Sequence, residues 1–263
     1  MNYWILFFVS MAACSIGFYM YIWFFSVGYG LAISAISATL AIAFHKSMGP
    51  AEWIACLLLF CYGLRLAGYL LLREKKNAVY RTVLDPELDR SKKMPLFAKL
   101  SIWVSCGLLY TMMTSPIYFR LQNHAEPDAA LWVGVVIMAA GIILELVADM
   151  QKTVAKKINS RRFVDTGVYR LVRCPNYLGE LLLWLGVFIS GVTALHGVLQ
   201  WVVSILGLVL ITFVMFSGAR RLEIRQDKNY GNDPEYQKYV RTVPIIIPFI
   251  PLYSVNKYKF LAA

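Results

Sequence analysis

The stretch that decides the fold runs from Glu145 to Trp184 and reads ELVADMQKTVAKKINSRRFVDTGVYRLVRCPNYLGELLLW. It joins the end of one apolar helix to the start of another through a cationic link, and its acids and bases lie beside membrane-length hydrophobic sequence. Ionisable groups at membrane depth are costly and usually functional. We therefore predict that this stretch holds the functional site.

The remaining sequence is hydrophobic enough to surround this stretch with membrane-spanning helices. Of the 263 residues, 59% are hydrophobic and 16% are charged, whereas ordinary soluble domains have about 45–50% and about 25%. Runs long enough to cross the hydrocarbon core occur at about 3–24, 26–44, 51–72, 96–115, 130–149, 177–194 and 197–216. The sequence predicts an all-α integral membrane protein with seven transmembrane helices that form a single domain over residues 1–263.

Lysine and arginine residues predict the orientation of these helices. The segments 73–99, 150–175 and 218–263 each carry seven or eight of them, whereas the other loops contain only Lys46 and Arg120. The positive-inside rule places the N-terminus outside, and the C-terminus and the site on the cytoplasmic side. Because the net charge of +11 is divided into separate blocks, we expect membrane lipids and an anionic ligand as partners and no nucleic acid.

Histidine and cysteine residues do not predict a metal site. The five cysteines contain no CxxC pair, and His45, His124 and His196 are far apart in the sequence. Neither a zinc site nor a disulfide framework follows from such spacing.

The third predicted span carries three polar side chains on one helical face. Tyr62, Arg65 and Tyr69 are spaced at i, i+3 and i+7, which predicts a polar cavity at membrane depth. The alternative is that Arg65 extends to an interface and that the tyrosines belong to an aromatic belt. Arg73 follows one turn later, where it can meet a phosphate.

The fifth span ends in a stripe of charge that runs from acidic to basic. Glu145, Asp149, Lys152 and Lys156 are spaced by four, three and four residues, so they share one helical face. The carboxylates suit ribose or amide donors and the lysines suit phosphate. Ion pairing within the helix is the alternative explanation.

The link and the start of the sixth span are suited to a diphosphate. Arg170 and Arg173 precede Pro175, which favours the first position of a helix, and helix N-termini bind anions. Asn176 and Glu180 then follow at i and i+4 on one face. No glycine-rich nucleotide-binding motif occurs in the chain, so we expect any nucleotide to bind among the transmembrane helices.

Three segments together resemble the steroid 5-alpha reductase family, especially its bacterial members. They are DTGVYRLVRCPNYLGE at 165–180, PEYQKY at 234–239 and RTVP at 241–244. The resemblance is specific over about 141–245, which would form the cofactor-binding half. It implies a seven-helix enzyme that binds NADPH within the bundle, and we expect a monomer in a bacterial inner membrane.

The resemblance also implies roles for individual residues. Tyr62 would polarise a substrate carbonyl, with Arg65 and Tyr69 in the substrate site. Two positions depart from the family: Cys174 replaces a usual histidine, and no acidic residue precedes Glu52, although steroid reductases have a glutamate in that region. The implied cofactor ligands, with Lys156 in place of an arginine, are Asp149, Lys156, Arg170, Arg173, Asn176, Tyr177, Glu180, Arg221 and Glu223.

These observations predict a membrane oxidoreductase of lipid or steroid metabolism. It would transfer a hydride from NADPH to the activated C=C bond of a lipophilic enone, such as a 3-oxo-4-ene steroid. One alternative is an S-adenosylmethionine-dependent membrane methyltransferase resembling the isoprenylcysteine carboxyl methyltransferases. The other is a non-catalytic lipid-binding or transport protein.

Overall fold

The computed structural model describes residues 1–76 and 88–261, without the side chains of residues 73–76. These ranges contain α-helices and short 3-10 turns and no β-strand, so the predicted all-α class is confirmed. Besides a short helical stretch at 88–93, the helices are α1 (Tyr3–Cys14), α2 (Val27–Phe44), α3 (Pro50–Lys76), α4 (Leu96–Gln122), α5 (Ala129–Ile158), α6 (Pro175–Gly191), α7 (Gly197–Tyr230) and α8 (Pro234–Thr242).

Six segments of the described chain are long and apolar enough to cross a membrane, one fewer than predicted. The first predicted span, 3–24, is interrupted. Its helix α1 ends at Cys14, and two 3-10 turns follow at Ser15–Phe18 and Tyr21–Phe24. The chain turns at Gly17, where a Cβ atom would overlap the Phe24 ring. A multi-pass membrane protein is supported, while a seventh span and the orientation stay predictions.

The chain divides into two compact units. The first contains Met1–Val135 and Val187–Leu208, and the second contains Val136–Gly186 and Val209–Ala263. Helices α5, α6 and α7 each contribute one part to each unit. The predicted cofactor-binding half, about 141–245, belongs to the second unit except for 187–208.

Small residues bring α2 and α3 together in the first unit. A Cβ atom on Gly63 would overlap the carbonyl oxygen of Gly30 and the side chain of Ser34, so the two backbones are in direct contact. The Ser34 hydroxyl donates to the Phe60 carbonyl at 2.9 Å. Transmembrane helices commonly associate through small residues, because burying apolar side chains gains little over contact with lipid.

Arg120 joins α4 to two neighbouring segments of the first unit. The sequence indicates a loop from residue 116, but α4 continues through Pro116 to Gln122, and Arg120 is buried with 1% exposure. Its Nε donates to the Ser190 carbonyl at 2.7 Å, and its Nη2 donates to Asp128 at 2.9 Å and to Thr193 at 2.7 Å. The interpretation of Arg120 as a loop residue was therefore wrong.

Replacing Gly63 with alanine tests the contact between α2 and α3. The added methyl group has no room against the Gly30 backbone, so we expect a loss of about 1–3 kcal/mol in stability, as in other overpacked sites. Gly68→Ala on the same helix is the matched control, because its Cβ would meet nothing within 4 Å. Thermal unfolding in detergent should show a lower midpoint only for Gly63→Ala. Equal midpoints would contradict the contact.

Candidate functional site

A small polar cavity lies in the second unit, where the end of α5, the link to α6 and the end of α7 meet. Its volume is about 110 Å³. Cations, amides and aromatic rings share the lining, which makes the cavity suited to an anionic or polar group. The lining residues are Lys152, Lys156, Phe163, Val164, Tyr169, Arg173, Asn176, Leu222, Arg225, Gln226, Asn229 and Tyr230.

The link between α5 and α6 is held in place by hydrogen bonds with α5 and with α8. Gly167 has φ of 61°, in the left-handed region that favours glycine. The next amide, Val168 N, donates to the Gln151 side chain of α5 at 2.9 Å. The Tyr239 hydroxyl of α8 donates to the Tyr169 carbonyl at 2.7 Å. These bonds fix the wall of the cavity that Tyr169 provides.

Arg173 is the buried cation of this cavity. It is 2% exposed, and its Nη2 donates to Glu223 at 3.0 Å and also to the Tyr253 carbonyl. Among the described residues, its Nε and Nη1 have no hydrogen-bond acceptor. Buried donors are rarely left unsatisfied, and a guanidinium binds oxyanions well. The cavity therefore has unused capacity for an anion at Arg173.

The same arginine orders the C-terminal tail. Glu223 accepts from Val255 N at 2.9 Å through its second oxygen. The backbone amide of Arg173 donates to the Pro244 carbonyl, also at 2.9 Å. The apolar part of the tail thus packs on the helices. The cluster contains Val172, Cys174, Leu178, Ala219, Ile245, Ile246, Val255 and Leu261.

Cys174 belongs to this apolar cluster, which accounts for a cysteine where the resembling enzymes usually have histidine. Burial raises the pKa of its thiol to about 12, although the nearby cations Arg173 and Lys152 act to lower it. The thiol is therefore neutral at physiological pH, and its contribution here is packing.

Lys156, a predicted cofactor ligand, is used mainly to hold the link. Its ammonium donates to the Ser160 and Arg162 carbonyls and, at 2.9 Å, to the Tyr230 hydroxyl. Three bonds use the three N–H groups of a lysine. Lys156 lines the cavity but contributes charge more than a free hydrogen-bond donor.

Of the other predicted cofactor ligands, some line the cavity and some do not. Asn176 lines the same cavity, whereas Arg170 and Arg221 are exposed and do not. The side chain of Arg73 lies outside the described residues. The roles of all these residues in cofactor binding stay predictions.

Asp149, Tyr177 and Glu180 belong to the helical part of the second unit rather than to the cavity lining. Asp149 and Tyr177 are half-buried, and Glu180 is buried. Beside Glu180, α5 and α6 are in backbone contact, since a Cβ on Gly179 would lie 2.6 Å from the Gly141 carbonyl oxygen.

Sequence reasoning missed the wall that α7 provides. Leu222, Arg225, Gln226, Asn229 and Tyr230 line the cavity. Their spacing of three and four residues places them on one helical face. This periodicity predicts a shared helical face. It lies beyond the apolar part of the helix, however, in a charged segment whose composition is typical of a cytoplasmic tail.

In the first unit, the predicted catalytic residue Tyr62 is buried beside a second tyrosine. The hydroxyl groups of Tyr62 and Tyr29 are 3.4 Å apart, and the Tyr29 ring contacts Tyr110 at 4.9 Å between centroids. Arg65 and Tyr69 are half-buried. Tyr29 was not predicted as a site residue; its position between two glycines is the only signal in the sequence.

The span-length helices and the buried cationic cavity define a multi-pass helical membrane protein with a polar internal site. The chain belongs to the family described as protein of unknown function DUF1295, whose model matches residues 23–243. It is similar to an uncharacterized protein of Schizosaccharomyces pombe, with 27% identity over 228 residues that cover 78% of this chain and 61% of the relative. The chain thus spans about three fifths of that relative's length. No solved structure matches the chain significantly.

Replacing Arg173 with methionine tests the buried ion pair. Glu223 would remain buried without its partner, and such changes cost about 3–5 kcal/mol. We expect a large drop in the thermal unfolding midpoint in detergent, partly restored in the double variant Arg173→Met, Glu223→Gln. Arg170→Met is the control, because Arg170 is exposed. Equal effects at positions 170 and 173 would contradict the stabilising role of the pair.

Proposed function

We propose that this protein is a membrane reductase that uses NADPH to reduce the activated C=C bond of a lipophilic enone. The observation that carries the proposal is the buried Arg173 guanidinium, which lines a cavity together with Lys152, Arg225 and Asn176 and whose Nε and Nη1 nitrogens have no acceptor among the described residues. The resemblance of residues 165–180 to the steroid 5-alpha reductases supports the same chemistry.

The cavity fits part of this cofactor. Its volume of about 110 Å³ equals that of about three or four water molecules, which is room for a phosphate group and not for a dinucleotide. Lys152, Arg173 and Arg225 would hold a phosphate there, since charge-assisted bonds to phosphate oxygens are strong. Asn176 would offer an amide edge to a polar group of the cofactor.

The chain's own residues would position the substrate and stabilise charge. When bound, NADPH supplies the hydride that reduces the β carbon of the enone. The Tyr62 hydroxyl would donate a hydrogen bond to the carbonyl oxygen, where negative charge develops. Tyr29, whose hydroxyl lies 3.4 Å away, would orient the Tyr62 hydroxyl.

Two other functions make different demands on the site. S-adenosylmethionine carries a sulfonium cation and no phosphate, so the lysine and arginine residues around the cavity favour NADPH over it. A non-catalytic lipid-binding protein could hold a lipid phosphate at the same cations, but it would not oxidise NADPH. Binding and turnover experiments separate the three.

Cofactor binding is tested with purified protein in detergent. We expect NADPH to raise the unfolding midpoint and S-adenosylmethionine to leave it unchanged. Arg225→Gln should weaken NADPH binding about tenfold, the ratio expected for one charge-assisted bond. Lys228→Gln on the same helix should not, because Lys228 is exposed and does not line the cavity. Stabilisation by S-adenosylmethionine alone would reject the reductase in favour of a methyltransferase.

The role of Tyr62 is tested by replacing it with phenylalanine. Loss of a positioned donor typically lowers turnover by about 10²–10⁴-fold. NADPH oxidation on addition of a 3-oxo-4-ene steroid should therefore nearly stop, while the NADPH dissociation constant is unchanged. Tyr29→Phe should lower turnover less, since Tyr29 acts through Tyr62. Equal losses of turnover and NADPH affinity in Tyr62→Phe would exclude the proposed role.

A further inference from the structure

A second polar cavity lies in the first unit, at the end of α2 and α4 and the beginning of α3. Its volume is about 400 Å³, and residues 46–49, 52, 120–121 and 124–127 line it. The proposed reduction uses none of these residues. The cavity combines charges of both signs, since Lys46 and Arg120 line it together with Glu52 and Glu126.

Glu52 is the buried acid of this cavity. It lies in the first turn of α3 and is 4% exposed. Its Oε2 has no hydrogen-bond donor among the described residues. A Cβ atom on Gly49 would be 3.0 Å from this oxygen, and both Gly49 and Glu52 line the cavity. A buried carboxylate of this kind is costly unless a donor meets it.

Arg120 does not supply that donor. Its guanidinium donates four hydrogen bonds within the protein. Two go to the carbonyls of Ser190 and Glu126, and two go to the side chains of Asp128 and Thr193. Hydrogen bonds from Thr193, the Leu131 amide and Arg120 lower the pKa of Asp128 against the opposing effect of its burial. Asp128 therefore stays ionised and balances the charge of Arg120.

The remaining charges of the cavity favour a ligand that is positive at one end. Glu52 is the buried acid that is left without a counter-charge from Arg120, whereas Lys46 and His124 are exposed at the rim together with Glu126. A zwitterion with an N–H-bearing cation and an anionic phosphate matches this arrangement. A simple anion does not, because it would meet Glu52 inside the cavity.

An apolar groove on the same two helices starts beside the cavity. It has a volume of about 510 Å³, with Ala38 and Ala41 of α2 on one side and Leu57 and Phe60 of α3 on the other. His45 and Trp53 also line it, and their sequence neighbours Lys46 and Glu52 line the polar cavity. Tryptophan is favoured at the level of lipid headgroups. The groove therefore suits an acyl chain whose headgroup occupies the cavity.

We propose that the cavity and groove bind one phospholipid with a primary-amine headgroup, phosphatidylethanolamine. Its ammonium group donates to Glu52 Oε2, its phosphate faces Lys46, and one acyl chain lies along α2 and α3. The choice of phosphatidylethanolamine rests on the N–H groups of its ammonium, since the quaternary amine of phosphatidylcholine has none to give to the carboxylate.

The experiment uses the full chain in maltoside micelles and native mass spectrometry. The probes are phosphatidylethanolamine, its mono- and dimethyl derivatives and phosphatidylcholine, all with the same acyl chains. We expect affinity to fall by roughly tenfold or more when the last N–H is removed, the ratio for one charge-assisted bond. Equal binding across the series would overturn the proposal.

Two substitutions and a control test the assignment to Glu52. In Glu52→Gln the preference for phosphatidylethanolamine should fall to about twofold or less, and Gly49→Ala should weaken it by crowding Oε2. Glu126→Gln, which removes the exposed acid of the same cavity, should keep the preference. A preference retained in Glu52→Gln, or lost equally in Glu126→Gln, would overturn the assignment.

Free phosphoethanolamine distinguishes the headgroup from the whole lipid. It should bind much more weakly than phosphatidylethanolamine, because it lacks the chain that lies in the groove. Equal affinities would overturn the part of the proposal that concerns the groove. None of these measurements involves NADPH, so their outcome does not depend on the proposed reductase activity.

Discussion

Direct contact between helix backbones is the constraint on which both units depend. In the first unit Gly63 meets Gly30, and in the second Gly179 meets Gly141; at each crossing a methyl group would collide with a carbonyl oxygen. Lipid tails are as apolar as leucine, so side-chain burial alone gives membrane helices little reason to associate. Close backbone packing supplies the missing dispersion energy, and it fixes the helix positions to within a methyl group.

These contacts also determine where polar side chains are buried. Tyr62 immediately precedes Gly63, and Glu180 immediately follows Gly179. Each polar residue therefore lies beside a glycine at which two helix backbones are in contact. A polar group at such a position is shielded from lipid and lies near another helix that can hydrogen-bond to it. Two of the residues for which the resemblance implies a role are therefore placed by glycine contacts that have no chemistry of their own.

The sequence predicted the helices well and part of the lining of the candidate cavity, for physical reasons that differ. Long apolar runs predicted transmembrane helices, but hydropathy does not record that α1 ends at Cys14 or that Gly17 packs against the Phe24 ring. Arg173 and Asn176 were found because they flank a helix start. Arg225, which lines the cavity, was missed because α7 continues beyond its apolar part. The hydrogen bond from Lys156 to the Ser160 carbonyl could not be predicted, because it depends on how the link folds.

The hydrogen bond of Arg173 to the Tyr253 carbonyl, and that of Glu223 to Val255 N, have a consequence for biosynthesis. Residues 253 and 255 leave the ribosome only after the six span-length helices found in the described residues have been made. The guanidinium that lines the cavity can reach its final orientation only at that late stage. A chain released before residue 253 would insert its helices normally and still lack an ordered anion site, so ligand binding reports on synthesis beyond residue 255 in a way that membrane insertion does not.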